Sequence, residues 1–305
     1  MAKTKKKKKK FLPALLILLV IGVVAVNGGS DDKVKQPSSV EGDDSTAKKD
    51  TAKASDEVTV EEAELYNENG ISVTVTGMKD SLFGPEISVT VANDTEQNVT
   101  VSTQLLSVNG YMLSTSGLYC DVAAGKKAAD SISLMSSELD EAGIETIAAL
   151  EFYLSIYDSD SYDTIAKSEL ITVNTSAAEG FTQEVDDSGD VIYDANGVRV
   201  ICKGLKDEVI WDGCVVFLME NTSGKTLTVC GENVSVNGYM VDESLWSELR
   251  DNTRSVVGMY LLTLEEIGLE SIEEVEDIEF SLRVIDEDWN TVAESDAIVL
   301  NFTEE

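Results

Sequence analysis

Six residues occur twice in this chain, letter for letter: Ser107-Val108-Asn109-Gly110-Tyr111-Met112 returns 128 residues later as Ser235-Val236-Asn237-Gly238-Tyr239-Met240. A recurrence that long commits the chain to building one architecture twice. Weaker matches on either side keep nearly the same offset. Leu65 to Val75 and Ile192 to Val200 are strand-like pieces broken at Asn69-Gly70 and Asn196-Gly197. Asn-Gly suits a two-residue type I′ turn, whose central positions both need φ > 0. Gly77-Met78-Lys79-Asp80 matches Gly204-Leu205-Lys206-Asp207, and Glu151-Phe152-Tyr153-Leu154 matches Glu279-Phe280-Ser281-Leu282. Only between Val241 and Tyr260 does the second copy depart strongly from the first.

Each copy breaks into seven or eight short runs separated by turns. No helix is long enough to cover a parallel sheet, so the pattern predicts antiparallel sandwiches with buried inner faces. The expected fold is all-β: two tandem immunoglobulin-like antiparallel β-sandwiches, over 57–175 and 188–305, joined by a linker at 176–187. Alternation places Ile71, Val73, Val75, Val89, Val91, Leu154 and Ile156 in the first core. One short helical turn is expected in each copy. Thr263-Leu264-Glu265-Glu266 fits a capping box, Ser137-Glu138-Leu139-Asp140 is a looser version, and Gly143 and Gly268 are suited to ending the turns.

The N-terminus reads differently. Residues 1–10 are Lys-rich, and Phe11 to Val26 is an unbroken apolar run. As a helix that run spans about 24 Å, short of the roughly 30 Å of a bilayer core. Lys snorkelling and Asn27-Gly28-Gly29 extend it, which favours a retained signal anchor or transmembrane helix at 11–29. Cleavage after Val23-Val24-Ala25 is the alternative. In both cases the Lys run stays cytoplasmic and the remainder is exported. Residues 30–56, poor in apolar side chains, read as a disordered tether.

After Ser30, 57 acids stand against 16 bases, a net of −41. Such a surface repels phosphate backbones, so no nucleic-acid partner is expected. The chain has no histidine, which excludes Ser-His-Asp and Cys-His catalysis and His-containing zinc sites. Cys120, Cys202, Cys214 and Cys230 form no CxxC pair. They read as buried thiols, with one bridge inside the second copy as the alternative.

The Asn-Gly-Ile/Val opening, the Ser-Val-Asn-Gly-Tyr-Met hairpin and the Asp-x-Asp-(Ser)-Tyr/Trp-Asp/Asn-Thr turn lie within residues 57–303, behind a Lys-rich anchor and a polar tether. In these features the chain resembles a group of immunoglobulin-like domains in anchored or secreted proteins of Gram-positive bacteria. The resemblance implies the sandwich fold and an envelope location, and it implies no particular activity. The Ig cysteine pair and its central Trp are absent here.

Two sets of residues are candidate sites. Asp158, Asp160 and Asp163, and separately Asp286, Asp288 and Asn290, gather oxygen ligands within short loops, as calcium requires. Neither set has the EF-hand spacing, and Asp and Asn are also ordinary turn residues. Tyr111, Tyr239, Trp246 and Trp289 are candidates for contact with a sugar or peptide, against the reading that they cover the edge of a core. Paired carboxylates for glycoside hydrolysis carry no information among 57 acids, so no enzyme is expected. The Asn-x-Ser/Thr triplets at Asn93, Asn98, Asn174, Asn221, Asn233 and Asn301 read as turn chemistry. The expected protein is a membrane-anchored, extracytoplasmic, non-catalytic one that binds an envelope protein or wall polymer. A secreted inhibitor- or antigen-like protein is the alternative.

Overall fold

A computed structural model describes residues 58–206, 213–242, 244–262 and 264–302. The described residues all fall within one compact unit, 54–305. The expected Lys-rich segment, signal anchor and tether, and Thr263 of the expected capping box, lie outside the described residues. Among those described, no helix is long and apolar enough to cross a membrane.

Short strands with alternating apolar residues pair antiparallel because one face of each must be buried. In the first half, β1 (Ala63–Glu68), β2 (Ile71–Asp80), β3 (Pro85–Asn93), β4 (Val99–Val108), β5 (Tyr111–Met112), β6 (Tyr119–Val122) and β7 (Lys126–Ser133) precede helix α1 (Ser136–Glu141). The strands β8 (Ala149–Asp158), β9 (Thr164–Lys167) and β10 (Ile171–Asn174) come after it. One sheet runs β1-β2-β3-β7, and the other runs β10-β8-β4-β5 with β6 on β4 and β9 on β8. Ile71, Val73, Val75, Val89 and Val91 of the first sheet share one core with Val99, Val101, Leu154 and Ile156 of the second. The core residues expected from alternation are therefore the observed ones.

The second half repeats this pairing strand for strand. It contains β11 (Asp190–Ala195), β12 (Val198–Lys206), β13 (Cys214–Asn221), β14 (Leu227–Val236), β15 (Tyr239–Met240), β16 (Trp246–Leu249), β17 (Thr253–Tyr260), β18 (Asp277–Asp286), β19 (Thr291–Glu294) and β20 (Ile298–Asn301). β11-β12-β13-β17 takes the place of β1-β2-β3-β7, and β14 pairs with β15, β16 and β18. The segment where the sequences diverge thus keeps the same elements: β16 stands for β6 and β17 for β7.

Two expectations are corrected, and the reading of the cysteines as buried thiols holds. The second half has two short 3₁₀ turns, Leu264–Ile267 and Ile272–Glu274, in place of one helical turn. The looser capping box at Ser137 does not form, because α1 is preceded by Met135 with no side-chain cap. Its Glu138 carboxylate instead accepts from the Ser114 and Thr115 amides and the Ser116 hydroxyl, which pins the loop after β5. No disulfide joins any of the four cysteines, all of which are buried. Burial, with Asp130 nearby, pushes the Cys120 thiol up to about 12. Gly143 and Gly268 do end their helical turns, at φ of 64° and 85°.

The two halves also join. The strand β17 pairs parallel with β5, through Arg254 opposite Tyr111, so one sheet of each half merges into a ten-stranded sheet. Ile201 and Leu218 of the second half are buried in the first half's core. The expected linker is bonded to both sides: Gln183 accepts from Asn109, and Asp186 pairs with Lys203 at 2.8 Å.

Candidate functional site

Asn109 and Gly110 have φ of 51° and 83°, and Asn237 and Gly238 have 49° and 80°, as type I′ turns require. The Asn109 side chain donates to the Thr146 carbonyl at 2.7 Å and accepts from the Ala148 amide at 2.9 Å. Asn237 donates to the Glu274 carbonyl at 3.1 Å and accepts from the Glu276 amide at 2.8 Å. The recurring hexapeptide is thus a hairpin riveted to its neighbours. Tyr111, offered as a contact residue, is 2% exposed and lies beneath the Arg254 guanidinium at 5.5 Å. The second half covers it, which removes it from any partner surface. Its counterpart Tyr239 is exposed.

Sequence reasoning missed Arg250. It is almost fully buried, crosses from the second half into the first, and donates to Ser107 Oγ at 2.6 Å and Glu151 Oε2 at 3.0 Å. It also donates to the carbonyl of Leu105, which sits at φ 52° in the bulge of β4. A second ion pair, Lys206 with Glu141 at 2.8 Å, joins the halves elsewhere.

In both acidic turns the first Asp serves the backbone. Asp158 Oδ1 accepts from the Asp160 and Ser161 amides at 2.9 and 2.8 Å. Asp286 Oδ1 accepts from the Asp288 and Asn290 amides at 3.1 and 2.9 Å. These amides hold both carboxyls below the usual carboxylate range, Ser161 contributing most at Asp158 and Asn290 most at Asp286. Asp163 accepts from the Ser161 hydroxyl. Among the described residues no three acidic or cysteine side chains gather as a metal would need. Asp286 and Asp288 instead line a hollow of about 590 Å³ together with Lys225 and Arg250, which already supply positive charge there.

Each turn also raises an aromatic side chain on a left-handed residue, Tyr162 at φ 62° and Trp289 at φ 65°. Trp289 meets Trp246 with ring centroids 5.7 Å apart. In the first half Tyr162 stacks on Tyr157 at 6.3 Å, and Tyr157 meets Tyr119 at 6.4 Å. Tyr119 and Trp246 open the equivalent strands β6 and β16, and alternation puts Asp121 and Glu248 on the same outer face, two residues on. Tyr162 and Trp289 are 72% and 73% exposed, and Tyr119 and Trp246 are 62% and 48% exposed. Tyr119 and Tyr157 were not singled out in the sequence, and Tyr162 only as part of its turn. Lining up the two copies sets Tyr119 against Trp246 and Tyr162 against Trp289, whereas Tyr157 falls opposite Ile285.

Trp246 and Glu248 also form one wall of a cleft of about 680 Å³ between the halves, faced by Leu105, Ser114 and Glu138 of the first half. Glu138 is committed to its loop and Glu141, also lining the cleft, to Lys206. Surrounding protein, and then the negative charge of Glu287, push the Glu248 carboxyl up. Among the described residues, no lysine or arginine lines this cleft.

No protein-family model matches the chain, and no curated protein matches it. Among solved structures it is similar to the exo-beta-D-glucosaminidase CsxA, at 15% identity and a TM-score of 0.23, over 72% of this chain and 26% of that one. It is also similar to red sea bream transglutaminase, at 8% identity and a TM-score of 0.19, over 81% of this chain and 31% of that one. The chain therefore spans about a third or less of the length of these proteins. At such scores neither likeness bears on what this chain does.

Proposed function

We propose that this is a membrane-anchored, extracytoplasmic, non-catalytic protein whose two tandem immunoglobulin-like sandwiches bind a partner at the cell envelope. The observation that carries the binding reading is the pair of exposed aromatic clusters, raised at equivalent places on the two halves. Exposed aromatic surface next to a concave polar cleft is what recognition surfaces use, since rigid rings contribute contact area at little entropic cost. Anchoring rests on the Lys run and the apolar segment at 11–29. The secreted reading differs only in whether that segment is removed.

Fractionation of expressing cells separates these readings. Intact chain in the membrane fraction, with the sandwiches open to protease added outside, is the expected result. Chain in the medium that begins after Ala25 would favour the secreted protein, and chain in the cytosol would sink both. Cross-linking on intact cells, with identification of the captured molecule, then tests the binding role.

A further inference from the structure

We infer that the aromatic clusters are carbohydrate-stacking platforms: Tyr119, Tyr157 and Tyr162 with Asp121 in the first half, Trp246 and Trp289 with Glu248 in the second. The ligand class is a neutral oligosaccharide of pyranose rings. This deepens the envelope-binding reading and rests on it.

Backbone strain is the first support. A bulky residue at φ > 0 is an outlier, and Asn or Gly would occupy the position at lower cost. Both turns nevertheless place an aromatic there, and both leave it about three-quarters exposed. Contact with a neighbouring ring offsets part of that strain, and the ring surface left in solvent is open to a ligand outside the chain.

Ring geometry and charge then select the ligand. Centroids 5.7 to 6.4 Å apart mean that neighbouring rings touch, and the Tyr157–Tyr162 planes differ by 29° and the Trp planes by 40°. Rings in contact leave no space for a cation between them, as an aromatic cage would need. The ring surface left in solvent, greatest at Tyr162 and Trp289, suits the flat C–H faces of a sugar chain. At the edge of each platform the carboxylate of Asp121 or Glu248 is an acceptor for sugar hydroxyls. The second platform continues into the cleft, where Ser114 and Thr115 contribute hydroxyl groups. With no Lys or Arg among the described residues of that lining, on so acidic a chain, phosphate-linked or uronate polymers are disfavoured.

The test titrates the full chain in detergent with cellohexaose and with chitohexaose, monitoring tryptophan fluorescence and heat. Saturable binding of at least one hexasaccharide is expected, with Trp289→Asn weakening it about tenfold and Tyr162→Asn weakening the remainder. Both variants should keep or raise the melting temperature, because Asn tolerates the left-handed conformation. That outcome separates loss of contact from loss of fold. Failure of both sugars to bind, or binding indifferent to both substitutions, would overturn the proposal. So would polylysine binding through these rings in place of the sugars. If the sugars fail while cross-linking on cells still captures a partner, the envelope-binding reading survives and the glycan assignment alone is lost.

Discussion

Asn93 and Asn221 show how much one side chain settles in this fold. Each is fully buried at the end of a strand. Asn221 donates to the Lys225 and Leu249 carbonyls at 2.7 and 2.9 Å and accepts from the Ser223 amide at 3.0 Å. Asn93 repeats the arrangement with Gln97, Val122 and Thr95. Asn221→Ala leaves these buried groups unpaired and should cost about 2–3 kcal/mol in urea denaturation, whereas Asn98→Ala, on the open end of a loop, should cost far less. The acidic turns make a pH prediction. Turn amides depress the folded-state pKa of Asp158 and Asp286 below the ordinary value near about 3.9. Their contribution is therefore complete above that pH and is lost as pH falls through the lower folded value. Melting of an Asp158→Ala, Asp286→Ala double variant should lie below that of the parent at pH 7 and converge on it in acid. These turns were legible in the sequence because Asp bonding two residues ahead is local chemistry.

At the scale of elements, the two halves share an order of pairing but differ in the cover over their hairpins. β5 is covered by β17, which buries Tyr111, whereas among the described residues no strand takes that place beside β15 and Tyr239 stays in solvent. The same six residues thus meet two environments, and no inspection of the hexapeptide alone distinguishes them. Arg250 is the clearest case of a role the sequence hides. Its partners Ser107 and Glu151 are 143 and 99 residues away, so nothing local marks it as buried. Removing it strands the Leu105 carbonyl, Ser107 and the half-buried Glu151. Arg250→Ala should cost roughly 2–4 kcal/mol, read as a fall in urea midpoint, and Arg250→Lys should recover little because one ammonium cannot reproduce the fork.

For the molecule as a whole, the shared ten-stranded sheet and the burial of Ile201 and Leu218 in the first core predict that the halves unfold together. Calorimetry should show one transition with calorimetric and van't Hoff enthalpies in agreement. In Arg250→Ala the transition should broaden or divide. The net of −41 after Ser30 makes that part of the chain self-repelling. Raising salt from about 0.01 M to about 1 M shortens the screening length from about 30 Å to about 3 Å, so the melting temperature should rise over that range.

The sequence by itself determined everything that local pattern controls. Asn-Gly hairpins, alternating strands with Ile71, Val73 and Val75 inward, and the Asp158 and Asp286 turns arise from neighbours a few residues apart, and the recurrence at 128 residues sets the doubling of one architecture. Tertiary structure alone decided the rest. It placed Tyr111 beneath Arg254, threaded Arg250 between the halves, opened the cleft beside Trp246, and brought Tyr119 against Tyr157 and Tyr162 from a separate segment. Those arrangements depend on strands brought together across a hundred residues or more in some cases, where packing and desolvation, and no periodicity, select the partners.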